Sequence, residues 1–312
     1  VNHLEALDCV TQLLFQQPCR CPRGDDLNPG GILCYWPDVR VANQEAGIRN
    51  SPVLLGMVAY SEAVWKGIAK DRPEYWAKLP PAGTPEYKEY ADFENRLAEH
   101  RDRFMNHRPF LFVKTAQIPW RLLGPVGRDE LPGFEKMDIK EIYEFNGGVY
   151  RWTKPLYGGA IHIKHFFGFP GQLTSFPKGK DVVWAYTYIH SDRDREADAW
   201  IGFNTTSTSD NRAGVAEAGF WNANKLCADW NNDREVPPPA WRNPGKSGNE
   251  IPFTDEIYTS REPSKIQLRK GWNKVLIRSA PSWKWVFSFT PISWDGTIAR
   301  EAEGLRYALQ PE

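Results

Sequence analysis

Net charge is missing from this 312-residue sequence: 39 lysines and arginines are matched by 39 aspartates and glutamates. A protein that grips nucleic acid or an anionic membrane normally carries a basic excess or patch, so neither partner is expected. Long apolar runs are missing too. None approaches the roughly 20 residues that span a bilayer, so membrane insertion is not expected. Cysteine is sparse and unpatterned, with Cys9, Cys19, Cys21, Cys34 and Cys227 forming an odd, front-loaded set. Cys19 and Cys21 stand one residue apart, a poor zinc spacing with no matching pair downstream, so they read as thiols and no metal site is expected.

Tryptophan is plentiful, 14 residues against 3 methionines. Its N–H needs a partner when buried, so this richness suits a β-rich protein or one that stacks on flat ligands; composition does not choose. The length is comfortable for two domains, each with its own core.

The two halves differ in period. Over residues 1–15, Leu4, Leu7, Val10 and Leu14 fall on one helical face. Gly31 to Trp36 reads as a buried strand, 43–50 as a short polar helix, and Pro52 to Tyr60 as a second apolar strand. Thr84-Pro85-Glu86 opens a longer helix with a capping residue, a proline at the first position and an acid in the first turn. Tyr90, Phe93, Leu97 and Phe104 would form its buried face. Alternating helices and strands imply parallel strands with crossover helices. Two such strands cannot close a barrel, so residues 1–117 are expected to be the last piece of a larger α/β domain.

From residue 118 the pattern changes to short alternating runs divided by Asn, Pro and Gly. Runs at 182–190, 199–204, 265–278 and 283–292 read as strands, with Lys270-Gly271 as a hairpin or bulge signal. Residues 118–312 are therefore expected to form an antiparallel β-sandwich.

The phrases GGILCYWPDVRV and RNSPVLLGMVAYSEAVWKG resemble the last two strands of the catalytic barrel in glycoside hydrolase family 20, the β-N-acetylhexosaminidases. IPWRLLGP, HIKHFFGFPG, AWIGF, EIPFTDEIY, LRKGWNKVLIR and SWKWVFSFTPISWDG resemble the sandwich appended to those enzymes. The resemblance implies the C-terminal portion of a (β/α)8 TIM barrel followed by a jelly-roll or galactose-binding-like sandwich. It further implies a glycan partner ending in N-acetylhexosamine, neither metal nor nucleotide cofactor, and a periplasmic or cell-surface location.

In that family the substrate's acetamido oxygen attacks the anomeric carbon while a glutamate protonates the leaving oxygen and an adjacent aspartate orients the acetamido group. Trp65 resembles the tryptophan that floors the sugar pocket. Tyr35 or Trp36, with Asp38, falls where the family places a tyrosine followed two positions later by an acid that binds sugar hydroxyls. The position two before Asp38 is Trp36, so the hydroxyl role passes to Tyr35 through a local shift or is lost. Glu62 stands three before Trp65, whereas much of the family has a pocket acid two after its tryptophan, where this chain has Gly67. Asp129-Glu130 and Asp255-Glu256 do not follow a buried parallel strand, so the catalytic pair is expected upstream of Val1.

Each of these residues also has a plainer reading. Trp65 is equally suited to a core, and Asp38 to capping a helix. His162 and His165 lie on one strand, three apart and so on opposite faces, which argues against a shared metal. Trp184, Trp200, Trp283 and Trp285 read as sandwich core. Trp221 and Trp241 read as loop residues, where an exposed ring would meet a glycan and a buried one would pin a long loop to the sandwich.

Overall fold

The computed structural model describes residues 14–15, 21–33, 53–67, 71–73, 75, 78–106, 110–164, 178–180, 182–204, 221, 227–238, 262–280 and 285–311. Two helices, α1 (Val53–Lys66) and α2 (Pro85–Phe104), precede an antiparallel β region. Its strands are β1 (Pro119–Val126), β2 (Ile142–Phe145), β3 (Gly148–Arg151), β4 (Leu156–Tyr157), β5 (Ala160–Lys164), β6 (Val182–Ser191) and β7 (Arg195–Asn204). They continue with β8 (Ala228–Asn231), β9 (Arg234–Glu235), β10 (Ser264–Leu268), β11 (Gly271–Ser279), β12 (Trp285–Trp294), β13 (Ala299–Glu301) and β14 (Leu305–Ala308).

The larger sheet runs β4-β1-β6-β11-β8-β9, with β14 also on β6; the smaller runs β10-β7-β12-β13, with β5 also on β12. Between them lies an aromatic core. Trp120 stands edge-on to Phe287 at 5.2 Å and to Phe289 at 5.9 Å, and its N–H donates to the Gly158 carbonyl at 3.0 Å. Trp285 is fully buried and donates to Ser279 Oγ at 2.6 Å. The β-sandwich expectation holds, and Trp184, Trp200 and Trp285 are buried as expected; Trp283 lies outside the described residues.

Each outer face of the sandwich is covered. Leu131, Phe134 and Tyr143 pack with Trp184, Tyr186 and Leu276 on the larger sheet. The β2–β3 hairpin in this cover turns through Asn146 (φ 45°) and Gly147 (φ 74°). Both lie in the left-handed region, the geometry that an Asn-Gly pair supplies. On the smaller sheet, Leu55, Ala59, Tyr90, Phe93, Leu97, Phe110 and Phe112 pack with Ala160 and Val286. The covers explain why β6 reads VVWAYTYIHS, an almost unbroken apolar run in an antiparallel sheet: water reaches little of either face.

Several expectations need correction. The run at 52–60 is not a strand: α1 begins at Val53 and continues to Lys66. Leu55, Ala59 and Ala63, four apart, share its buried side, and Leu, Met, Ala and Glu favour helix; a short apolar run does not separate the two states by itself. Gly31 to Leu33 form no strand, and Cys34 to Trp36 lie outside the described residues, as does 43–50. The described residues before 118 contain helices and no parallel strand pair, so they give the expected barrel portion no support. Phe104 is 65% exposed, because the helix ends there and its last turn clears the sheet.

Lys270-Gly271 is no hairpin. β10 pairs with β7 in the smaller sheet and β11 with β6 and β8 in the larger, so the turn carries the chain from one sheet to the other. Finally, Trp221 is only 3% exposed and packs edge-on to Phe203 at 5.2 Å, so it is core and not a glycan platform. Trp241 lies outside the described residues.

Candidate functional site

Among the residues expected to hold sugar, Tyr35, Trp36 and Asp38 lie outside the described part of the chain. Glu62 and Trp65 share the last turn of α1, where positions three apart are neighbours. The indole of Trp65 is 69% exposed, with the Arg23 guanidinium over its ring at 4.5 Å. The Glu62 carboxylate pairs with Lys66 and with Arg96 of α2, the latter at 2.5 Å. Partial burial raises its pKa, but the two cations outweigh this and hold it below the usual carboxylate range. Glu62 is thus an ionised acid already committed to two cations.

Gly67 follows directly, with φ 68° and its N–H donating to the Ala63 carbonyl at 3.0 Å, a left-handed helix end. A Cβ there would sit 2.6 Å from the Arg23 nitrogen and 2.8 Å from the Cys21 carbonyl oxygen. The backbone at 21–23 therefore closes on this position, and no acidic side chain fits where the family places one.

A second feature lies where the helical cover meets the smaller sheet and β14 of the larger one. A cleft of about 480 Å³ opens there, lined by Tyr87, Glu94 and Lys114 on one side and Glu301, Arg306 and Tyr307 on the other. Beneath it, three consecutive amides are held by two carboxylates. Lys114 N–H donates to Glu301 at 2.9 Å, Thr115 N–H to Glu94 at 2.9 Å and Ala116 N–H to Glu94 at 3.0 Å. Arg101 donates to both Glu301 oxygens, at 3.2 and 3.0 Å, and to the Phe112 carbonyl at 2.9 Å.

The environments drive the two acids apart. Burial raises Glu94 to about 7 despite its two amide donors, and the negative charge of Glu301 adds to the rise. Burial also pushes Glu301 upward, but Arg101 and the Lys114 amide bring it below the ordinary value. Split carboxylates of this kind can divide acid and base work. Here all four oxygens already accept hydrogen bonds, so the pair clamps α2 and the 110–117 segment to the sandwich. No sequence motif pointed to this site, because its members lie as much as 207 positions apart, from Glu94 to Glu301.

The other acid pairs stay outside any such site. Glu130 accepts from Gly127 N–H at 2.9 Å and Tyr150 Oη at 3.0 Å and pairs with Lys180, which fixes a turn; Asp129 is exposed. Asp255 and Glu256 lie outside the described residues, as does His165; His162 is buried on β5. Cys21 and Cys227 are free thiols, and burial pushes Cys227 up to about 12. Among the described residues, no three His, Cys, Asp or Glu side chains gather to hold a metal ion, and no helix is long and apolar enough to cross a membrane. No family model, curated protein or solved structure matches the chain.

Proposed function

We propose that the chain is the C-terminal part of an exo-β-N-acetylhexosaminidase resembling glycoside hydrolase family 20, with residues 1–117 contributing the end of the barrel and the sandwich beside it. The parent enzyme removes terminal N-acetylglucosamine or N-acetylgalactosamine by substrate-assisted retaining hydrolysis, outside the cytoplasm and with neither metal nor nucleotide. In this reading Asp129-Glu130 is not its Asp-Glu pair, because Glu130 already accepts from Gly127 N–H and Tyr150 Oη in a turn.

The observation that carries the reading is Trp65. A large apolar ring that stands mostly in solvent, on a helix end and braced by Arg23, is a ready stacking surface for a pyranose face. Three of the sandwich phrases that carry the resemblance fall on strands, IPWRLLGP on β1, LRKGWNKVLIR on and before β11 and WVFSFTPISW on β12, whereas the phrase at 49–67 forms helix α1. The rival reading, a glycan-binding module working through loop tryptophans of the sandwich, loses its described candidate with the burial of Trp221.

Titration of residues 1–312 with N-acetylglucosamine, followed by tryptophan fluorescence, tests the proposal. Binding that Trp65→Ala abolishes supports it; binding unchanged by that substitution overturns it. Turnover of an aryl β-N-acetylglucosaminide by this chain alone should stay below about 0.1 per second, against an enzyme median of roughly 10.

A further inference from the structure

Strand β14 has an unused edge. It pairs with β6 from Leu305 opposite Ser191 to Ala308 opposite Tyr188, while β11 occupies the other side of β6. Asp192 N–H donates to the Gly304 carbonyl at 3.2 Å, which sets the alternation. Gly304, Arg306 and Ala308 turn their N–H and C=O groups toward β6, and Leu305 and Tyr307 turn theirs away. On that outer side no hydrogen bond reaches the backbone of Leu305 or Tyr307 among the described residues.

The side chains of β14 alternate as well. Leu305 and Tyr307 pack against the inter-sheet core, and Arg306 lies on the outer face of the larger sheet, across from His190. All three residues nevertheless line the cleft of about 480 Å³. Consecutive strand residues that point to opposite faces have the strand's edge in common, so it is the unpaired edge of β14 that borders the cleft.

The facing wall cannot pair with that edge. The amides of Lys114, Thr115 and Ala116 are taken by Glu301 and Glu94, and their carbonyls accept from Gln117 Nε2, Ile118 N–H and Tyr87 Oη. The two acids thus hold the 114–116 backbone to the seam, and β14 meets a cleft where a sheet would place its next strand. An exposed edge of this kind is a template for strand addition.

We propose that the β14 edge takes an acidic, extended peptide segment of a partner protein as an added antiparallel strand. Two residues of the segment exchange backbone hydrogen bonds with Leu305 and Tyr307, and the residue between them, opposite Arg306, is an acid. The Arg306 guanidinium is exposed and makes no hydrogen bond or ion pair among the described residues, and the Lys114 ammonium has one bond, to Asn95 Oδ1 at 3.2 Å, so the charge to be met is positive. A second copy of this chain fits less well. Antiparallel pairing of β14 with itself about Arg306 sets two guanidiniums opposite each other, and α2, on the far side of the cleft, leaves no room for a second sandwich. Trp65 does not line the cleft, so this site and the proposed sugar surface stand or fall separately.

The test is nuclear magnetic resonance of residues 1–312 with the peptide acetyl-Thr-Val-Glu-Val-Thr-amide as probe. In the free protein the amides of Leu305 and Tyr307 should exchange with solvent faster than those of Arg306 and Ala308. The peptide should bind with a dissociation constant of roughly 1 mM or tighter and slow exchange at Leu305 and Tyr307. An ester in place of either valine amide, which deletes a donor to β14, should weaken binding at least about fivefold. A peptide with lysine in place of the glutamate should bind a few-fold more weakly, and Arg306→Glu should reverse that preference. Trp65→Ala should change nothing. Amides of Leu305 and Tyr307 already as protected as their neighbours would mean that the edge is covered, and would overturn the proposal. So would absence of binding, binding that leaves those two amides unaltered, or equal affinity for the glutamate and lysine peptides, a comparison that needs no variant to fold.

Discussion

The seam between α2 and the smaller sheet and the interior of the sandwich each bury a carboxyl group, under opposite conditions. At the seam, Glu94 is 2% exposed and receives two backbone amides. In the sandwich, Asp229 of β8 is fully buried, and neither of its side-chain oxygens finds a hydrogen-bond partner among the described residues. Its cross-strand neighbour Ile277 belongs to the inter-sheet core, so the carboxyl faces apolar side chains, beside the equally unpartnered amide of Asn231. A buried acid can thus be part of the fastening or a cost the fold carries. Burial alone does not separate the two, whereas the partner list does.

The most forceful way to break the comparison is to unfasten the seam. Arg101 is the cation that joins α2 to Glu301 and to the Phe112 carbonyl, and its side chain is 3% exposed. Arg101→Met keeps much of the apolar stem and deletes the charge. Removing one partner of a buried ion pair typically costs about 3–5 kcal/mol. The lower end, about 3 kcal/mol, is expected because Glu301 stays partly hydrated and Asp102 is open to water. Urea unfolding measures it; a loss below about 1 kcal/mol would class the bridge with surface pairs.

A subtler separation uses pH. Glu94 has a folded pKa of about 7 against a reference of 4.5, so its favourable contribution is complete below about 4.5 and disappears as pH rises through about 7. Asp229, raised well above its reference value by burial alone, acts in the same sense. Glu301, whose folded pKa is lowered, acts in reverse: its contribution is present above its reference value of 4.5 and is lost as pH falls through the folded pKa. Glu94→Gln should match the parent below about pH 4.5 and Asp229→Asn only below about pH 3.8, and each should exceed it at pH 8. For Glu94 the gain is roughly 3 kcal/mol at most, since each pKa step is worth about 1.4. If Glu94→Gln is the less stable protein at pH 8 in denaturant titrations, the two amides favour the ionised carboxylate more than burial opposes it.

The sandwich was readable in sequence because its turn chemistry and short runs are local, and the α2 start was readable for the same reason. The α1 helix was not, since PVLLGMVAY carries no residue that forbids a strand and the deciding fact, the spacing of Leu55, Ala59 and Ala63, needs the helix's far end. Lys270-Gly271 misled because a turn looks alike whether it joins neighbours in one sheet or crosses between two. Asn146-Gly147, in contrast, is a hairpin signal that lies in plain view. Trp65 and Glu62 were found through a resemblance, whereas the clamp and cleft are assembled by tertiary contacts that no local pattern encodes.

The smallest expected effect asks whether the seam's strength resides in helix α2 itself or in what the helix carries. Thr84 caps α2 through its Oγ1, which accepts the Tyr87 N–H at 3.2 Å, with Pro85 and Glu86 completing the start. Thr84→Ala removes that acceptor at an exposed turn, where water can replace it in part, and should cost about 1 kcal/mol. The cap lies nearly five turns from Arg101 along the helix, so the two losses should add when the substitutions are combined. A cap loss equal to that of Arg101→Met would mean that α2 holds the seam by its own helical stability. A loss near a third of it would place the fastening in the buried charges and the amides they grip.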